Sequence, residues 1–124
     1  EHGWDPDAVP DPQDPATFER SKLDWSERGS GDHARMLATY RDLIALRRNE
    51  SDLGDFWLDH LDVDFDEDAR WIVLHRGSLA IACNLGADSV AVPVTGEVVY
   101  AWGEPRVGAT GTALDGHSFV VLRT

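Results

Sequence analysis

Carboxylates are the residues in this sequence best equipped for chemistry, and two groups of them invite a functional reading. One crowds the stretch from Asp59 to Asp68, with further acids at Asp62, Asp64, Asp66 and Glu67; the other is the pair Asp24 and Glu27. A calcium loop begun at Asp62 would put Glu67 where the sharp turn needs glycine. It would also put Val73 where the closing bidentate glutamate belongs. Alternation of the acids with Leu61, Val63 and Phe65 instead predicts a strand with its apolar side chains inward and its carboxylates in water, a weak cation site being the alternative. Asp24 and Glu27 have the types of a glycosidase pair, which needs a fixed separation between acid and nucleophile. They lie in a segment with no rigid element to hold that separation, so no catalytic role is expected of them.

Other reactive side chains lack partners. The histidines at 2, 33, 60, 75 and 117 form no His-Glu-x-x-His pattern, and Cys83 is the sole cysteine, so neither zinc nor another cofactor is expected. The glycines at 103, 108 and 111 are not followed by the lysine of a phosphate loop, and no Gly-x-Ser-x-Gly elbow occurs. Five tryptophans have faces suited to sugar rings. Trp71 and Trp102 fall within β runs, where burial is the default, and Trp57 is expected to seal the junction between a helix and a β domain. Trp25, with nearby Arg20 and Lys22, is the candidate for contact with a substrate, packing against protein being the ordinary alternative.

Three zones must position these residues. Residues 1–31 hold prolines at 6, 10, 12 and 15, each removing a backbone donor, and irregularly spaced aromatics; they predict a loop that lies on something else. From Asp32 to Asn49 there is neither glycine nor proline. Met36, Leu37, Tyr40, Leu43, Ile44 and Leu46 recur at helical spacing, Asp32 can cap the start, and Arg47 and Arg48 suit the negative end of the dipole. The helix and its exit occupy 32–58. Residues 59–124 read as antiparallel β: runs at 70–75 and 79–85 joined by Gly77-Ser78, further runs at 89–94 and 97–102, and a last strand at 119–123 after the turn pair Asp115-Gly116. The fold class expected is mainly β with one helix, a sandwich.

A net charge of −12 makes phosphate backbones and anionic lipid surfaces poor partners, so neither nucleic acid nor membrane is expected. Apolar runs are too short to span a bilayer, and a secretory signal pattern is absent. Together with the lone thiol, this gives a cytoplasmic location as the expectation.

Particular segments carry a family likeness. Tyr40-Arg41-Asp42-Leu43-Ile44-Ala45-Leu46-Arg47-Arg48 resembles the helix that closes the catalytic barrel in the alpha-amylase family of glycoside hydrolases. Trp71 to Gly77, Ile81 to Gly86 and Val90 to Pro93 follow in the order of that family's C-terminal β domain, with Asn84-Leu85 ending the second hairpin strand. Val9 to Trp25 resembles the stretch before the last barrel helix in the malto-oligosyltrehalose trehalohydrolase family. The resemblance implies a retaining parent enzyme that releases trehalose by cutting the neighbouring α-1,4 bond. It also implies that the nucleophile, general acid and third carboxylate stand on barrel strands that this sequence does not include. The chain is thus expected to be a non-catalytic C-terminal part, partnered by the barrel of its own polypeptide. An α-glucan-binding accessory module, or the C-terminal domain of a related branching or debranching enzyme, are the alternatives. A third alternative is self-association of the bare chain through its uncovered helix face and N-terminal loop.

Overall fold

Asp14 and Pro15 begin the first helix, α1 (Pro15–Ser21), in a computed structural model that describes residues 9–54 and 57–124. Proline is tolerated at the first helical position because its missing N–H would be unpaired there anyway. The Asp14 carboxylate accepts from the Ala16 amide at 2.9 Å. The loop expected over residues 1–31 is corrected accordingly: Pro15 starts a helix instead of forbidding one, and a single 3-10 turn follows at Glu27–Gly29. Trp4 and Asp55, expected in the loop and in the helix exit, lie outside the described residues.

Gly31, with φ of 54°, turns the chain into α2 (Gly31–Asn49), one residue longer than its pattern suggested. Asp32 is therefore inside the first turn and not at the cap, with its Oδ1 3.4 Å from Arg35. There it still suits the positive end of the helix dipole. A short α3 (Ser51–Gly54) follows. The chain divides into two compact units, one ending at Ile44 and the other running from Ala45 to Thr124. Among the described residues of the first, no side chain is buried.

The second unit is an antiparallel β-sandwich. Its strands are β1 (Leu61–Asp66), β2 (Trp71–Arg76), β3 (Leu79–Asn84), β4 (Val90–Val92), β5 (Glu97–Trp102), β6 (Arg106–Val107), β7 (Thr112–Leu114) and β8 (Phe119–Arg123). They form a five-stranded sheet ordered β1-β2-β3-β8-β5 and a three-stranded sheet ordered β4-β7-β6. The core lies where alternate residues of both sheets meet: Val73, Ala80, Ala82, Val120 and Leu122 from the larger sheet, Val92 and Leu114 from the smaller. Gly77, at φ 58°, makes the expected two-residue turn between β2 and β3. The turn before β8 differs from expectation. Strands β7 and β8 belong to different sheets, so it is a crossing and no hairpin, and the residue with positive φ is His117, at 53°.

Asn84 holds that crossing in place. Only 2% exposed, its Nδ2 donates to the carbonyls of Asp88 at 2.8 Å, Asp115 at 2.9 Å and Leu114 at 3.3 Å, while its Oδ1 accepts from the Gly86 amide at 2.9 Å. One side chain thereby satisfies carbonyls that the change of sheet removes from any ladder. Gly116 runs so close to the backbone of Ala87 that a β-carbon there would collide with the Ala87 carbonyl.

Register sorts the larger sheet into two faces. Opposite the core, one row reads Val63, Leu74, Ile81, Val121, Tyr100, and the next reads Phe65, Ile72, Cys83, Phe119, Trp102. Both rows are apolar across all five strands. The inward burial expected for Leu61, Val63 and Phe65 is corrected here, since Val63 is 44% and Phe65 61% exposed. Alternation set their parity correctly, but it points them to the sheet face that the smaller sheet does not cover.

Candidate functional site

Trp25 lies on a loop made stiff by its own side chains. Asp24 Oδ1 accepts from the Ser26 hydroxyl at 2.6 Å and from the Ser26 amide at 2.9 Å. Those bonds, the hydroxyl's first, hold the Asp24 carboxyl below the usual aspartate value. Within the first unit this loop and α2 enclose an open cavity of about 490 Å³, with Leu23, Trp25, Met36 and Tyr40 supplying apolar surface and Asp24 and Arg41 at its margin. Trp25 is 70% exposed.

The three candidate substrate contacts do not converge. Lys22 Nζ is spoken for by Glu19, at 2.8 Å and 2.9 Å, and sits 4.6 Å from the centre of the Phe18 ring. Arg20 reaches back along α1 to Thr17 Oγ1 at 3.5 Å. Neither lines the cavity that Trp25 lines. Asp24 and Glu27 both border it, but Asp24 is biased toward the ionised state, the wrong direction for a carboxyl that must deliver a proton. Glu27 Oε2 lies 3.6 Å from His33 Nε2. The arrangement is an apolar surface with charged groups at its margins.

The acids of β1 form a different kind of surface. Asp64 Oδ2 meets His75 Nε2 at 3.0 Å across the β1–β2 pair, and Asp66 Oδ1 accepts from the Ala69 amide at 2.8 Å to shape the hairpin turn. Among the described residues no group of three or more His, Cys, Asp or Glu side chains is placed to hold a metal ion. No helix among them is long and apolar enough to cross a membrane. Trp57, expected to seal a junction, is 68% exposed, and Trp71 is half-buried against the sandwich core. Sequence reasoning passed over Asn84 as an internal support. Its signal was a polar side chain at a strand end whose alternation is otherwise apolar on the core side.

A family model described as a domain of unknown function (DUF3459) matches residues 57–121, most of the sandwich. The chain belongs to that family. It is the C-terminal domain of alpha-amylase-family enzymes. Similarity extends beyond the domain into the first unit. A malto-oligosyltrehalose trehalohydrolase of Mycobacterium tuberculosis is 60% identical over 123 residues, covering 99% of this chain and 21% of the relative. One from Arthrobacter ramosus is 47% identical over 123 residues, covering 98% of this chain and 20% of the relative. A solved structure of a Salmonella typhimurium protein designated an alpha amylase superposes with a TM-score of 0.69 at 30% identity, over 92% of this chain and 20% of the other. The chain thus spans about a fifth of the length of the curated relatives it matches.

Proposed function

We propose that this chain is the non-catalytic C-terminal part of a malto-oligosyltrehalose trehalohydrolase, and that the whole polypeptide hydrolyses the α-1,4-glucosidic bond next to the terminal trehalose of a maltooligosyl trehalose. The observation that carries the reading is the 60% identity running through 99% of the chain, loop and helix as well as sandwich. Helix α2 is then the last helix of the barrel, and the sandwich follows it in the chain. The boundaries are residues 1–31 for the loop after the last barrel strand, 32–58 for helix and exit, and 59–124 for the β domain. The catalytic carboxylates of a retaining hydrolase belong to the barrel, in keeping with the geometry of Asp24 and Glu27. A lone thiol suits a reducing cytoplasm as its location.

The test is an assay on maltotriosyl trehalose with this chain and with the gene product extended to the length of the relatives. Trehalose release by the longer protein alone is the expected result. Release by the 124-residue chain, or action of the longer protein on plain malto-oligosaccharides only, would overturn the proposal.

A second reading rests on the 70% exposure of Trp25 over an aromatic-lined cavity: the loop touches α-glucan at the rim of the barrel. In the longer protein, Trp25→Ala then raises KM for maltotriosyl trehalose several-fold with kcat little changed. A loss of thermal stability with KM unaltered would instead make Trp25 a packing residue. Arg20 and Lys22 are weaker candidates, being already engaged within α1.

A further inference from the structure

We propose that the Asp115-Gly116 step is a site of spontaneous covalent modification, isoaspartate formation, and that opening of the sandwich controls it. The site is shut while the β7–β8 crossing is closed, and the product keeps the crossing from closing again.

Aspartate followed by glycine is prone to this reaction, because glycine has no side chain to shield its amide or restrict its backbone. Of the aspartates and asparagines in the sequence, Asp115 alone is followed by glycine. The Gly116 amide nitrogen attacks Cγ of Asp115, and a carbon–nitrogen bond forms. The hydroxyl of the carboxyl group leaves with the amide proton as water, closing a five-membered succinimide. Water then opens the ring at either carbonyl, restoring aspartate or giving isoaspartate. No other reagent is needed.

Ring closure requires the peptide plane between Asp115 and Gly116 to rotate until the amide can reach the carboxyl carbon. In the closed sandwich that plane is held from both ends. The Asp115 carbonyl accepts from Asn84 Nδ2 at 2.9 Å and from Ser118 Oγ at 2.7 Å, and both donor residues are buried. Gly116 lies against the Ala87 backbone with no space for one extra carbon. The next amide, that of His117, donates to the Gly86 carbonyl at 2.9 Å. Rotation would break these bonds together and leave buried polar groups unpaired.

The carboxylate itself is held more loosely. Arg106 Nη2 meets Asp115 Oδ1 at 3.0 Å, but both side chains are at least half exposed. Exposed ion pairs contribute little, so the backbone and not the ion pair is the gate. Isoaspartate routes the main chain through the side-chain methylene and lengthens it by one carbon. The crossing has no room for that carbon beside Ala87, so a modified chain loses the bonds that Asn84 makes there.

The 124-residue chain tests this directly. It is incubated at mildly acidic pH in water enriched in heavy oxygen, across a series of urea concentrations. Mass spectrometry of the peptide holding Asp115 then measures the isoaspartate and the label that the succinimide route introduces. The rate should rise in step with the unfolded fraction. The folded chain should react at least ~10-fold more slowly than a synthetic peptide spanning residues 112–119. Leu122→Ala changes neither reacting residue, yet it should move the rise to lower urea along with its unfolding midpoint. Should that variant fold poorly, the urea series on the natural chain decides alone. Equal rates in folded chain and peptide would overturn the proposal. So would a rate that climbs well before unfolding begins, since the crossing would then open by itself. Arg106→Ala should alter the folded rate by less than ~5-fold. A larger acceleration at an unchanged midpoint would overturn the proposal in favour of a gate made by the ion pair. Chain carrying isoaspartate is finally separated and returned to dilute urea. It should fail to refold or should unfold at lower urea than the unmodified chain, and an unchanged midpoint would overturn the claim that the product holds the crossing open.

Discussion

The segment ending at Ile44 and the unit from Ala45 to Thr124 use apolar residues in opposite ways. The β unit gathers short side chains, Val73, Ala82, Val92 and Leu122, between two sheets and leaves them almost no contact with water. The first unit carries large aromatics as well, yet Phe18, Trp25 and Tyr40 all stay mostly exposed. Burial and not hydrophobic content decides what holds a fold together: an apolar side chain contributes only the area it removes from water. The β unit therefore has an interior of its own. The helical unit keeps its apolar side chains on its surface.

The largest expected effect that would sharpen this contrast is in the sandwich core. Leu122→Ala should destabilise the β unit by about 3 kcal/mol, through lost transfer energy and the cavity left behind. Urea unfolding followed by tryptophan fluorescence measures it, and a cost under about 1 kcal/mol would mean the two sheets do not pack as described. Asn84→Ala should cost about 2 kcal/mol, because the Asp88 carbonyl and the Gly86 amide lose their partner together and the Asp115 carbonyl keeps only the Ser118 hydroxyl. Gly116→Ala should cost roughly 1–2 kcal/mol by forcing the β7–β8 crossing away from Ala87.

Cys83 gives a smaller effect that depends on pH. Burial pushes its thiol above the ordinary value, so the folded protein holds that proton more tightly than the unfolded chain does. Its contribution to stability is complete below the ordinary thiol range and declines as pH rises through it. Denaturant midpoints compared between neutral pH and pH near 10, for the natural chain and Cys83→Ala, should diverge only at the alkaline end. The smallest effect belongs to the first unit. Tyr40→Ser should change the stability of the 124-residue chain by less than about 0.5 kcal/mol. A loss as large as that of Leu122→Ala would erase the contrast between the two units.

Periodicity made much of this fold readable. Helix α2 and strands β2, β3, β5 and β8 have long, unmixed patterns, and Gly77 announces its turn by type. The shorter pieces escaped. Strands β6 and β7 have two and three residues, too few for alternation to register, and α1 was hidden by a proline whose role at a helix start differs from its role elsewhere. Parity along β1 was legible, but which face of the sheet would find a cover was not, since that depends on strand order and on what packs from outside. For the candidate site the limit is sharper. Sequence set Arg20, Lys22 and Trp25 near one another along the chain, and only geometry separates a lysine tied to Glu19 from an indole left bare.

Strand β1 has one further consequence. It is the last strand of its sheet on that side, with a free row of amides and carbonyls along Leu61–Asp66. Such a row is a template on which identical strands add end on end to build fibres. Asp62, Asp64 and Asp66 place a negative charge at every second position, so each added copy would stack carboxylate upon carboxylate. The acids of β1 oppose that addition, as gatekeeper charges do beside exposed apolar strands.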